Sequence, residues 1–177
     1  YEAAKRFHDH GIIVELLSMV GFPMNPEKDL FNTLKLIREI KSMYPNHQAT
    51  PFLFTPLPGT KLFDIAVQKG LREPKRLEDW IGWSVLDVIT PWVDEKYLDT
   101  VNRLIKFYIP FAYPSDYLRG MFRHRIFGPG YVLLHKLSLL RMQKNFFKLP
   151  IEWMVIKFLY YNVKVRFNLF KGAKTPR

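Results

Sequence analysis

Residues 11–23 read Gly11-Ile12-Ile13-Val14-Glu15-Leu16-Leu17-Ser18-Met19-Val20-Gly21-Phe22-Pro23. The run from Ile12 to Val20 is nearly continuous in apolar side chains and carries β-branched residues, the pattern of a strand buried on both faces of a parallel sheet. Gly21-Phe22-Pro23 stops it. Upstream, Tyr1 to His10 reads as a helix, with Gly11 placed where a left-handed cap would end it. Downstream, Asn25 offers an N-cap, Pro26 suits the first helical position, and Glu27 and Asp29 sit at the positive end of the helix dipole. Leu30, Leu34, Ile37 and Ile40, with Phe31, make one apolar stripe, while Lys35, Arg38, Glu39 and Lys41 face water. Tyr44-Pro45-Asn46 closes that helix.

A second, shorter strand is expected at about Gln48 to Thr55, centred on Phe52-Leu53-Phe54. Pro56, Pro58 and Gly59 form the turn after it. Thr60 then caps a helix through Leu62, Phe63, Ile65, Ala66 and Val67 to Gly70. Residues 1–74 thus read as helices alternating with parallel strands, the order of an α/β barrel or an open α/β sheet. Two strands are too few to close either.

Beyond Gly70 the pattern changes. Leu71 to Asp94 mixes charge with Trp80, Trp83 and Trp92 and reads as an irregular or short-helix connection. Glu95 to Tyr108 is an amphipathic helix on Leu98, Val101, Leu104, Ile105 and Tyr108, expected to end at Pro110 and Pro114. Gly128-Pro129-Gly130 reads as a further break, with helices at Tyr131 to Gln143 and Ile151 to Phe170. Residues 75–177 are therefore expected to form a mainly helical extension.

The 177 residues include no cysteine, which excludes a disulfide framework, a thiol nucleophile and any Cys-ligated zinc or iron–sulfur cluster within this sequence. Every apolar stretch is interrupted by charge before reaching the length of a membrane span; Ile151 to Phe170 carries Glu152, Lys157, Lys164 and Arg166. The charged start, Tyr1-Glu2-Ala3-Ala4-Lys5-Arg6, has no signal-peptide pattern and no initiator Met, so it reads as a cut through a helix of a longer protein. The net charge of +11 is uneven: residues 118–177 hold thirteen Lys and Arg against the single acid Glu152. The basic character belongs to the last third and to its partners.

Two strand ends resemble the radical SAM superfamily, in the branch whose members carry an N-terminal cobalamin-binding domain and act on hydrophobic substrates. One is the stretch quoted above. The other is Phe52-Leu53-Phe54-Thr55-Pro56-Leu57-Pro58-Gly59-Thr60-Lys61-Leu62-Phe63, the more specific of the two. The resemblance covers residues 1 to about 70 and implies the last two strand–helix units of a partial six-unit (β/α) barrel. It implies an iron–sulfur oxidoreductase or methyltransferase that cleaves S-adenosylmethionine, with Gly21, Phe22, Pro23, Thr55, Pro56 and Leu57 along the cofactor edge. No catalytic residue and no metal ligand is implied within this chain. The [4Fe–4S] cluster, and cobalamin where used, would be held by the missing N-terminal half of the same protein, a cytoplasmic enzyme acting on a hydrophobic small molecule. The sequence departs from the family in two places. Met24-Asn25-Pro26-Glu27 replaces the family's Gly-Glu-Thr, and the Cys-x-x-x-Cys-x-x-Cys loop is absent. The fragment alone is expected to be inactive.

Other residues invite sharper readings than they support. His8-Asp9-His10 suggests a metal, but alternate helical positions point apart. His124 between Arg123 and Arg125 reads as part of a solvated basic loop. Glu15, the one charge in the strand pattern, needs a partner if buried, either inside a barrel or on a helix. The C-terminal third interleaves aromatic residues with Lys and Arg, which fits a helical cap with a basic exterior or a peripheral membrane module without chemistry. Nucleic acid is not expected as a partner, because no binding motif is present and Leu133-Leu134, Leu137, Leu139 and Leu140 favour lipid or core contact.

Overall fold

In a computed structural model the protein is described at residues 1–81 and 90–172, with side chains placed at all of these except Tyr117 and residues 163–172. Trp83 and the side chains of Lys164, Arg166, Phe167 and Phe170 therefore lie outside the described residues. The chain divides into two compact units, Tyr1–Asn145 and Phe146–Arg177. Both sides of the junction expected near 74 and 75 belong to the first unit.

That unit begins with α1 (Glu2–Asp9), which buries none of its residues and is supported by one-turn ion pairs, Arg6 with Glu2 at 2.8 Å and Lys5 with Asp9 at 2.5 Å. Gly11, at φ +70°, turns the chain toward β1 (Glu15–Val20). Helix α2 (Pro26–Met43) starts where the Asn25 side chain accepts the Lys28 N–H at 3.1 Å. β2 (Gln48–Leu53) returns parallel to β1, and α3 (Lys61–Gln68) starts where the Thr60 hydroxyl accepts the Phe63 N–H at 3.2 Å. Both caps are the residues expected from sequence. The strands are shorter than expected, because Ile12–Val14 and Phe54–Thr55 lie outside the ladder.

The register pairs Leu16 with Ala49, Ser18 with Pro51 and Val20 with Leu53. Val20, Ala49 and Pro51 on that face are buried beneath Leu34, Ile37 and Ile40 of α2 and beneath the later helices. The opposite face is uncovered: Leu17 is 63% exposed, Met19 55% and Phe52 42%. β1 is thus buried on one face, and the expectation of two-sided burial is corrected. The apolar run does form a strand, and no element among the described residues covers its second face. Glu15 lies on this open face, where its carboxylate accepts a hydrogen bond from the Thr50 hydroxyl at 2.8 Å. Its partner is the neighbouring strand, so the expected alternative of pairing with a helix is corrected.

The two edges of the sheet differ. Gln48 and Phe54 direct their N–H groups to Val14 and Val20 of the β1 segment at 2.9 and 2.8 Å. By alternation, Pro51 turns its nitrogen to the outer edge, where the missing donor costs no bond to β1 and interrupts pairing with any further strand. Among the described residues no strand pairs with the other edge of β1. That edge is the one able to extend the sheet.

The later helices of this unit complete the covered face. α4 (Glu95–Arg103) starts at Asp94, which accepts the Tyr97 N–H at 2.7 Å. It runs without interruption into a π-helical turn (Leu104–Tyr108) and α5 (Ile109–Ala112), burying Val101, Leu104, Phe107, Tyr108, Ile109 and Ala112. The expected stop at Pro110 does not occur. Ile109 bonds back to the Leu104 carbonyl, and this wider turn relieves the clash that a proline ring makes with the preceding turn of an α-helix. Ser115 caps a short helix, α6 (Asp116–Met121), not expected from sequence. α7 (Gly128–Lys144) packs on α5 and ends at Asn145 in the left-handed conformation.

Gly128-Pro129-Gly130, read as a break, is the first turn of α7, where a proline donor is not needed. A Cβ on Gly128 would lie 2.4 Å from the Phe122 carbonyl oxygen. Gly128→Ala must therefore displace backbone, and thermal unfolding should show a loss of about 1–3 kcal/mol. An unchanged midpoint would mean that the α6–α7 junction yields freely.

In the second unit, α8 (Ile151–Gly172) exposes Ile151, Met154, Val155, Phe158 and Tyr161 at helical spacing. No described helix is long and apolar enough to cross a membrane.

Candidate functional site

Parallel pairing with Val20 opposite Leu53 brings Gly21-Phe22-Pro23 and Thr55-Pro56-Leu57 to the same end of the sheet. The two motifs are separated by 31 intervening residues in sequence and are adjacent in space. Gly21 leaves β1 at φ +83°, a conformation that only glycine adopts readily. A Cβ there would meet Leu53 at 3.4 Å and the Tyr97 ring at 3.5 Å.

The six residues differ in what they offer. Gly21, Pro23 and Pro56 are buried and shape the two turns. Phe22 packs its ring 4.8 Å from Phe54 and is half-buried. Thr55 is also half-buried, and its hydroxyl is enclosed without a hydrogen-bond partner among the described residues. Leu57 is 62% exposed. Phe22 and Leu57 therefore present apolar surface at this end, and Thr55 is the one polar side chain of the six, its hydroxyl enclosed and unpaired among the described residues.

Two residues that the sequence reading passed over complete this end. The Trp92 indole N–H donates to the Gly21 carbonyl at 2.9 Å and its ring packs against the Phe63, Ala66 and Leu71 cluster. The Tyr97 hydroxyl donates to the Pro26 carbonyl at 3.0 Å. Burial first, then the carboxylates of Asp29 and Glu27, push the Tyr97 phenol well above its ordinary value, so it stays a neutral donor. Asp29 is itself raised, chiefly by desolvation, although Lys28 and the Phe22 backbone N–H oppose the shift. The sequence signal for Trp92 was only the local density of tryptophan; nothing in its spacing pointed to the glycine 71 residues earlier.

The histidines have structural partners. His8 packs against Tyr44 at 4.7 Å and His47 at 5.9 Å, while His10 Nδ1 lies 2.8 Å from the Arg6 carbonyl. His124 is exposed in the loop before α7, accepting the Phe127 N–H at 3.3 Å and stacking on that ring.

Comparison with models of protein families, with curated proteins and with solved structures returned no match.

Proposed function

We propose that this chain is the C-terminal part of a radical SAM enzyme of the cobalamin-associated branch, contributing the last two strand–helix units of a partial barrel. The observation that carries the reading is the meeting of the two motifs at the C-terminal end of a parallel pair, where barrel enzymes place their chemistry. The two unlike edges of the sheet favour it as well. A last strand needs an outer edge closed to pairing, as Pro51 provides, and an inner neighbour that still accepts a strand, as β1 does.

The chain has no cysteine, so the cluster ligands would come from another part of the protein. For the adenosyl part of S-adenosylmethionine the residues fit: a buried hydroxyl on Thr55 without a partner, apolar surface on Phe22 and Leu57, and turns held by Gly21 and Pro56. When bound, the cluster and S-adenosylmethionine supply the electron and the radical. Thr55 would orient the nucleoside by one hydrogen bond, Phe22 and Leu57 would exclude water from it, and Trp92 would hold the Gly21 turn in place. A coding sequence with an in-frame Cys-x-x-x-Cys-x-x-Cys upstream of Tyr1 supports this reading, and a start codon nearby without that motif sinks it.

The open face leads to a prediction about the isolated chain. Leu17, Met19 and Phe52 would be covered by the rest of the barrel, so residues 1–177 alone should self-associate in sedimentation velocity. Leu17→Lys with Met19→Lys should restore a monomer. A monodisperse monomer of the unaltered chain contradicts this.

A second reading, a peripheral membrane module, is favoured by the exposed apolar row on α8 beside Lys157. Each Lys or Arg near an anionic surface adds about 1 kcal/mol, less as salt screens it. The full chain should pellet with anionic liposomes, more at low salt than at high, and a chain ending at Asn145 should not. Equal pelleting by both removes α8 from membrane contact.

A further inference from the structure

At the opposite pole of the first unit from the strand ends, a half-open cleft of about 680 Å³ lies among the C-terminal half of α2, α5, α6 and α7. We propose that this cleft binds a phosphate-type anion carrying a short apolar group, the anion held by Lys41 and Arg119 and the apolar group lying against Phe122 and Leu139. The volume falls within the range of small-molecule sites, and the walls combine apolar surface with a few polar groups, as such sites do.

Charge carries the proposal. Lys41, expected to face water, is instead buried, because its ammonium turns back to donate to the carbonyls of Pro45 at 2.7 Å and His47 at 2.5 Å. Of its three donors, two are thus used on neutral acceptors. Arg38 likewise donates to the Met142 carbonyl at 2.9 Å and to the Asn145 side chain at 2.5 Å. Neither cation has a carboxylate within ion-pair distance among the described residues. Arg119 has only Asp116, at 3.7 Å, and that carboxylate is almost fully exposed. Glu39 is the single acid on the cleft wall, and it already accepts the Tyr1 hydroxyl and lies 3.9 Å from Lys35. Burial, and secondarily the Arg119 charge, draw the Lys41 ammonium below its ordinary lysine value.

Capping of the end of α2 explains why Lys41 reaches two carbonyls. It does not explain why a second cation, Arg119, lines the same apolar cleft, where Glu39 is the single acid. The ammonium also lies 5.6 Å over the Tyr113 ring on the cleft wall, a weaker partner than an anion, which would relieve the repulsion and take the remaining lysine donor. The apolar wall distinguishes the expected ligand from inorganic phosphate. A smaller cavity of about 270 Å³ shares Lys41, Pro45, Tyr113, Pro114 and Arg119 with the cleft and continues toward Ile13 and Gln48 at the start of the strands. The cleft is separate from the candidate cofactor edge, and the proposal holds whether or not the radical SAM reading does.

The test is calorimetric titration of the full chain with octyl phosphate below its micellar concentration, beside inorganic phosphate and octyl glucoside. Octyl phosphate should bind saturably, about tenfold or more tightly than either control, and Arg119→Gln should weaken it about tenfold. Lys41→Met should do the same if it folds; because it leaves two carbonyls unbonded, Arg119→Gln, at an exposed position, decides the matter. Equal affinity for octyl phosphate and inorganic phosphate, or no effect of Arg119→Gln, overturns the proposal. So does binding only to vesicles containing phosphatidic acid, which would mark these cations as a surface charge for a bilayer and not a site for a soluble ligand.

Discussion

Phe107→Ala is expected to cost about 3–5 kcal/mol of unfolding free energy, the range for emptying a fully buried aromatic position. Phe107 is 2% exposed and sits in the π-helical turn, which packs on β2 and on α7. Its ring meets Tyr108 at 5.2 Å and Phe111 at 4.8 Å, so truncation removes apolar area and two ring contacts together. The turn is also where the helix accommodates Pro110, and its backbone cannot close easily around a void. Denaturant titration should show the loss in the midpoint with little change in slope. A loss under about 1 kcal/mol would mean that the later helices do not share a core with the sheet.

The same turn shows where sequence reading reaches its limit. The alternation of helices and strands through Gly70, both N-caps and the exposed basic loop at His124 were legible, because each depends on local backbone chemistry. Asn25 and Thr60 accept bonds three residues away, and no distant partner can change that. Pro110 and Gly128-Pro129-Gly130 were misread for the converse reason. The same residues that end a helix in isolation are tolerated where a wide turn or a first turn removes the conflict, and that depends on packing. The burial of β1 was half legible: its composition leads to an expectation of two apolar-covered faces, whereas the described residues cover only one. At the candidate site, the six motif residues could be named but not ranked. The Gly21 turn is held by Trp92 and Tyr97, which reach it from more than 70 residues downstream, and Thr55 keeps an enclosed hydroxyl without a partner among the described residues.

That ranking changes which variant tests the function. Gly21→Val forces a branched side chain onto φ +83° beside Leu53 and Tyr97, and Pro56→Asp buries a charge, so both would disturb the fold along with any ligand. Thr55→Val keeps the shape and removes only a hydroxyl that has no partner among the described residues. The fold should be unharmed or slightly stabilised by the change. The decisive measurement is therefore the affinity of the complete, cluster-loaded protein for S-adenosylmethionine, with and without Thr55→Val, read beside the thermal midpoint of each. The account predicts about a tenfold loss of affinity, the worth of one buried hydrogen bond, at an unchanged or higher midpoint. Equal affinity in the two proteins, or no S-adenosylmethionine binding by either, would contradict it.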